Sequence, residues 1–271
     1  MQHALTIDVE DYFQVAAFAS TVQRGDWDHL PLRVERNVNT VLSALAEAKI
    51  KATFFTLGWV AERCPQVVRD IVKAGHELAS HGHAHHFVHE LSPPEFRQDI
   101  RRSKNILEDL AGQAVLGYRA PSFSIGARNL HALDEIRAAG YVYSSSIYPI
   151  AHDLYGMPNA PRGPFLLPSG LLEIPMTTVR VSGRNLPAGG GGFFRLLPYS
   201  LSKKLFTSAE KNNGFPSMFY AHPWEFDPLQ PRFAHAPLKS RFRHYLNLNR
   251  TLPRFQQLLT DFRWGTMQEV F

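Results

Sequence analysis

Four short stretches of this sequence carry residues that could do chemistry. The first, Asp8-Val9-Glu10-Asp11-Tyr12, packs three carboxylates behind a short apolar run. Side chains alternate along a strand, so Asp8 and Glu10 share a face if the strand persists. The second is the window 75–89, which holds six of the chain's 13 histidines. His81/His85 and His85/His89 both have the His-x-x-x-His spacing that can put two imidazoles on one ion. The third, Tyr118-Arg119-Ala120-Pro121-Ser122, places a planar, permanently charged donor ahead of a proline-stiffened turn. The fourth, His222-Pro223-Trp224-Glu225, places a group that titrates near neutrality after another apolar run.

Each stretch also has a plainer reading. Strand-end carboxylates cap helices, histidine-rich loops are often just solvated, and arginines form surface ion pairs. A single histidine at a strand end is more often a hydrogen-bonded core residue than a catalyst. Together the four describe something more definite: a site of two histidines and one carboxylate with open metal positions, plus an acid and a base.

The elements that must position them follow from periodicity. Apolar runs at 4–9, 52–57, 77–80, 115–119, 141–145, 172–177 and 217–221 read as strands. Between them, Val34, Val38, Val41, Leu42 and Leu45 keep helical spacing, and a helix through Val67 to Val72 should stop at Gly75. Ser92-Pro93-Pro94-Glu95 reads as a capping box opening a helix towards Leu110. Further helices are expected over 130–139, 196–210 and 252–262. Such alternation argues for a parallel sheet flanked by helices, closed as a (β/α) barrel or open and doubly wound. No Gly-x-Gly-x-x-Gly or P-loop follows a strand, which counts against nucleotide binding. In either architecture the carboxyl ends of the strands host the site, and all four stretches fall there.

Two segments break the rhythm. The span 148–170 carries five prolines and no period, as functional loops do. The run Gly189 to Gly192 permits close backbone approach or positive φ. The segment 193–206 mixes apolar bulk with Arg195, Lys203 and Lys204; an interfacial helix and a barrel helix with a solvated face both fit it.

Composition bounds the rest. The 271 residues are 44% hydrophobic and 20% charged, a globular balance with enough apolar material for a core. Every apolar run is interrupted too early for a transmembrane helix. The net charge of +5 is mild and dispersed, unlike a nucleic-acid reader. Cys64 is the only cysteine, so no intrachain disulfide forms. The first residues lack a basic region and an apolar core of a signal peptide, so a cytoplasmic location is expected.

These motifs, in this order, resemble the polysaccharide deacetylases of carbohydrate esterase family four. Within that family the chain is similar to the exopolysaccharide-locus subgroup associated with PEP-CTERM protein sorting. The resemblance implies a distorted (β/α)₇ barrel, with 1–271 as one catalytic domain whose C-terminal half, from about 146, is specific to the subgroup. It implies metal-dependent removal of N-acetyl groups from an amino-sugar glycan or its precursor, with zinc first and cobalt, nickel or manganese as alternatives. Carried over, His81 and His85 are metal ligands, while His83 and His86 are bystanders. Asp8 is the base, held by Arg119, and His222 is the acid. Ser122, through its backbone N–H, Pro121 and Trp224 contact substrate or its oxyanion.

The chain departs from the family twice. Val9 stands where a second adjacent aspartate is usual, which moves the metal carboxylate to Glu10, with Asp11 as fallback. Ser144 stands at a strand end where an aspartate is usual, removing a support for His222 or Arg119. The competing readings are a cyclic imide or ureide amidohydrolase on the same barrel and a glycan-binding scaffold without catalysis. A cytoplasmic deacetylase would meet its N-acetylated sugar as a nucleotide-linked or lipid-linked precursor or a short oligosaccharide, with peripheral membrane contact and no nucleic-acid partner.

Overall fold

The computed structural model describes residues 1–152 and 155–271. Along the chain run β1 (Gln2–Val9), α1 (Val34–Ala48), β2 (Thr53–Thr56), α2 (Gly58–Arg63), α3 (Pro65–Lys73), β3 (Glu77–Ser80), α4 (Pro93–Ala111), β4 (Gly117–Tyr118), α5 (Ala132–Ala138) and β5 (Tyr143–Ser144). Then follow β6 (Phe165–Leu166), β7 (Leu172–Glu173), β8 (Thr178–Val181), β9 (Arg184–Pro187), α6 (Gly191–Leu196), α7 (Tyr199–Asn213), β10 (Met218–Ala221), α8 (Leu238–Tyr245), α9 (Leu248–Asp261), β11 (Arg263–Gly265) and α10 (Met267–Val270).

The main sheet has the order β10-β1-β2-β3-β4-β5-β7-β6, with β11 also pairing β1. All of these pairings are parallel except that of β6 with β7. The sheet curls into a half-barrel, the fold the motif order implied; among the described residues β10 and β6, the ends of the row, do not pair. β1 is buried from His3 to Val9, as a strand covered on both sides must be. Helices α1, α3 and α4 bury one face each, through Val38 and Val41, Val67 and Ile71, and Phe96 and Ile100.

Several sequence expectations need correction. The strands at 115–119, 141–145 and 172–177 shrink to two residues each; Arg119 and Ser145, just past β4 and β5, belong to the site. The helix expected at 196–210 is two helices, broken at Pro198. The β8–β9 hairpin, β11, α2 and α8 had no clear periodic signal. The capping box at Ser92 is present: its N–H and hydroxyl donate to Glu95 at 2.8 and 2.6 Å. The glycine run works by close approach. Gly190 (φ 114) bridges Tyr220, and a Cβ there would lie 2.0 Å from the Tyr220 carbonyl oxygen. The irregular span 148–170 includes positions outside the described residues; its described part lends His152 and Tyr155 to the cavity below.

Candidate active site

Parallel pairing aligns the carboxyl ends of β1, β3, β4 and β10. Asp8 lies within β1 and Glu10 one residue past its end, while His81, Arg119 and His222 each directly follow their strand. Glu10, His81 and His85 offer ligand atoms that all lie within 4.8 Å of one another, and all three side chains are buried. His81 Nδ1 is 2.8 Å from the Arg119 carbonyl. That contact makes Nδ1 the protonated nitrogen and leaves the Nε2 lone pair for a ligand. Burial, followed by His85 beside it, pulls the His81 imidazole down to about 4, so it is neutral near pH 7. His85 sits at φ 51, and its Nε2 lies 2.7 Å from Glu10 Oε2. The pair is not aligned as a hydrogen bond, so Oε2 is a buried oxygen without one among the described residues. Burial alone would raise the Glu10 carboxyl, but His85, His222 and His81 outweigh it and hold it well below the usual range. Two imidazoles and an orphaned carboxylate oxygen fit a borderline divalent cation such as zinc.

Asp8 faces this group. Its Oδ1 accepts from Arg119 Nη1 at 2.5 Å, and its Oδ2 lies 4.0 Å from His222 Nε2. Arg119 is fully buried, with its guanidinium also bonded to Thr6 Oγ1 and to the Ser145 carbonyl and hydroxyl. His222 Nε2 lies 3.6 Å from Glu10 Oε1, while its Nδ1 meets Glu225 Oε1 at 2.6 Å. Burial works against a charged imidazole here, yet Glu10, Glu225 and Asp8 together raise His222 to about 9. Glu225 is in turn gripped by Arg195 Nε at 2.6 Å; burial is outweighed by Arg195 and His222, and its carboxyl falls to about 2.

Three expected residues sit differently from the reading of the motifs. Asp11, the fallback ligand, lies outside the metal group. Its Oδ2 accepts the N–H groups of Arg33 and Val34 at 2.7 and 3.0 Å, so it caps α1. Pro121 is not among the described residues that line the cavity; it packs beside Gly82. Trp224 lines the cavity, but its indole N–H donates to Glu10 Oε1 at 3.1 Å and its ring stacks on His244 at 4.1 Å, which makes it a support for the carboxylate. Ser122 does line the cavity, in the left-handed region (φ 53). His83 turns to Glu62 and His86 to Glu90, away from the site.

Two supports were not singled out from the sequence. Glu225 partners His222 three residues on, a His-x-x-Glu signal that could have been read as such. The other is Glu173, fully buried on β7, which accepts from the N–H groups of Ser146 and Ile147 at 2.9 and 2.8 Å. It holds the serine run after β5, whose Ser145 binds Arg119 and whose Ser146 hydroxyl accepts from the Ala120 N–H. Ser144 itself bonds Ser146. A carboxylate from the neighbouring strand thus anchors the region where Ser144 lacks one.

The cavity over these groups has a volume of about 370 Å³, within the usual span for ligand sites. Its inner end is polar. Its outer wall comes from the loop after β1 and from α6 and α8.

Comparison with known proteins agrees with this geometry. Residues 24–144 match the family model described as polysaccharide deacetylase, and residues 145–271 match a domain of unknown function, DUF3473. A peptidoglycan-N-acetylglucosamine deacetylase of Bacillus cereus is 36% identical over 81 residues, 30% of this chain and 30% of the relative. The match covers less than half the length of such curated relatives. Among solved structures, one of a putative polysaccharide deacetylase from Mycobacterium smegmatis superposes with a TM-score of 0.63 at 20% identity, covering 99% of this chain and 88% of that one. The Puue allantoinase superposes at 0.61 with 14% identity and the same coverage of both chains. These superpositions show the fold, and the family model covers residues 24–144.

Proposed function

We propose that this chain hydrolyses the N-acetyl group of an amino sugar. The observation that carries the reading is the convergence of Glu10, His81 and His85 on one point beside the Asp8–Arg119 and His222–Glu225 pairs. The deacetylase activity in the names of the curated relatives supports it.

Glu10, His81 and His85 would hold the divalent metal, which when bound polarises the amide carbonyl and makes water more acidic. The chain's own groups do the rest. Asp8 Oδ2 takes the proton of the attacking water as its oxygen bonds to the amide carbon. Arg119 fixes that carboxylate by Oδ1, so the free oxygen faces the site. The Ser122 N–H meets charge developing on the amide oxygen, a contribution of roughly 3–4 kcal/mol in other enzymes. As the C–N bond breaks, His222 Nε2 gives its proton to the nitrogen, and the products are acetate and a free amine. Glu225 keeps His222 protonated and oriented for that step.

The test is acetate release from N-acetylated amino-sugar oligomers, with and without added zinc, cobalt, nickel or manganese. Allantoin run in parallel checks the ureide reading. Metal-dependent acetate release is the expected result. Its absence, with sugar still bound, would leave a glycan-binding scaffold. A role in exopolysaccharide synthesis, supported by the motif resemblance, and a cytoplasmic location belong to the same proposal. Cell fractionation checks the location.

A further inference from the structure

We infer that the sugar taken by this site carries an apolar aglycone, which lies along the wall built by α6 and α8; the inference rests on the deacetylase reading above. Polarity changes sharply along the cavity. The inner end holds the carboxylates and imidazoles. Outward, α6 presents Phe193 and Leu196, one helical turn apart, and α8 presents Phe242, with Leu246 just past its end. Val15 and Ala17, after β1, also line the cavity.

This wall continues into solvent as apolar surface. Leu196 is 48% exposed and Phe242 59%, and Leu238, one turn before Phe242 on α8, is 79% exposed. Two large, exposed apolar side chains lining the cavity, with a third one turn along the same helix, mark a binding surface rather than scattered exposure. The wall also carries Lys239 and Arg243, both already engaged within the chain.

The chemistry of the wall decides between two kinds of substrate. Each further sugar ring brings hydroxyls that lose water on entering and need hydrogen-bond partners in return. Leucine, valine and phenylalanine supply none. An alkyl chain, in contrast, gains about 25 cal/mol for each Å² it buries there. The inner end therefore suits one acetamido sugar and the outer wall an apolar group attached to it.

The test compares the metal-loaded protein on three probes: methyl and octyl glycosides of N-acetylglucosamine, and the N-acetylglucosamine tetramer. The octyl glycoside is kept below its micelle concentration. We expect kcat/KM for the octyl glycoside to exceed that for the methyl glycoside at least about tenfold, equivalent to about 1.4 kcal/mol. In the double variant Leu196→Ser, Phe242→Ser the ratio should fall towards one. A tetramer preferred over the octyl glycoside, or an octyl advantage unchanged in the double variant, would overturn the inference. No acetate from any probe would sink the deacetylase reading instead. Calorimetric binding of octyl against methyl glycoside to the same protein then decides the aglycone on its own, with equal affinities counting against it.

Discussion

At the scale of residues, the site divides into side chains that would touch a ligand and side chains that aim them. His81→Ala or His85→Ala should abolish metal occupancy, measured by elemental analysis after dialysis against zinc. His83→Ala should keep it, since His83 faces Glu62. Asp8→Asn should retain metal and lose at least about 100-fold in kcat, the scale of a lost general base. Glu10→Gln should lose metal; the opposite pattern would exchange the two roles. The His222–Glu225 pair makes a pH prediction. His222 lies near 9 because three carboxylates outweigh its burial, so the metal-free protein should show an imidazole titrating above its ordinary 6.5 by NMR. Glu225→Gln removes one of those carboxylates and lowers that midpoint. A general acid must be protonated to act, so the alkaline limb of kcat/KM should then move to lower pH. An unmoved limb would assign the acid to another group.

At the scale of elements, strand pairing and tight turns do the positioning. β10 is held at the sheet edge by β1 on one side and by the Gly190 bridge on the other. Gly190→Ala should destabilise the fold by at least about 2 kcal/mol, because φ 114 is strained for alanine and its Cβ would strike the Tyr220 carbonyl. Gly192→Ala is the control: nothing lies within 4 Å of a Cβ there and its φ is ordinary, so its urea midpoint should stay near the parent's. Equal midpoints in the two variants would show that the loop at Gly190 yields. Helices of clear amphipathic spacing, such as α1 and α4, were legible from sequence. The short strands β4, β5 and β7 were legible in place but not in length, because residues on either side of the paired dipeptides, such as Val115, Arg119, Tyr141 and Ser145, share the local pattern without sharing the ladder.

At the scale of the whole molecule, the two matched regions share one sheet. β1 pairs β2 from the first half and both β10 and β11 from the second. His222, Glu225 and Arg195 come from the second region, and the metal group from residues 10–85, before it. Urea unfolding should therefore be one transition, with far-UV circular dichroism and tryptophan fluorescence coincident, since Trp27 and Trp59 report on one half and Trp224 and Trp264 on the other. Two separated midpoints would mean that 145–271 folds and melts independently.

By itself the sequence determined the strand–helix alternation and which residue types stand at strand ends, because local periodicity and side-chain chemistry are written in neighbouring positions. The motif order also pointed to Glu10 over Asp11, but only as a preference between two carboxylates one residue apart. Tertiary structure decided what depends on contacts between distant segments. Asp11 became a helix cap because α1 starts against it, Trp224 became a support because its indole reaches Glu10, and Glu173 came under the Ser144–Ser146 run by pairing of β5 with β7. None of these contacts has a local pattern, since each joins residues more than 20 positions apart whose proximity is created by packing alone.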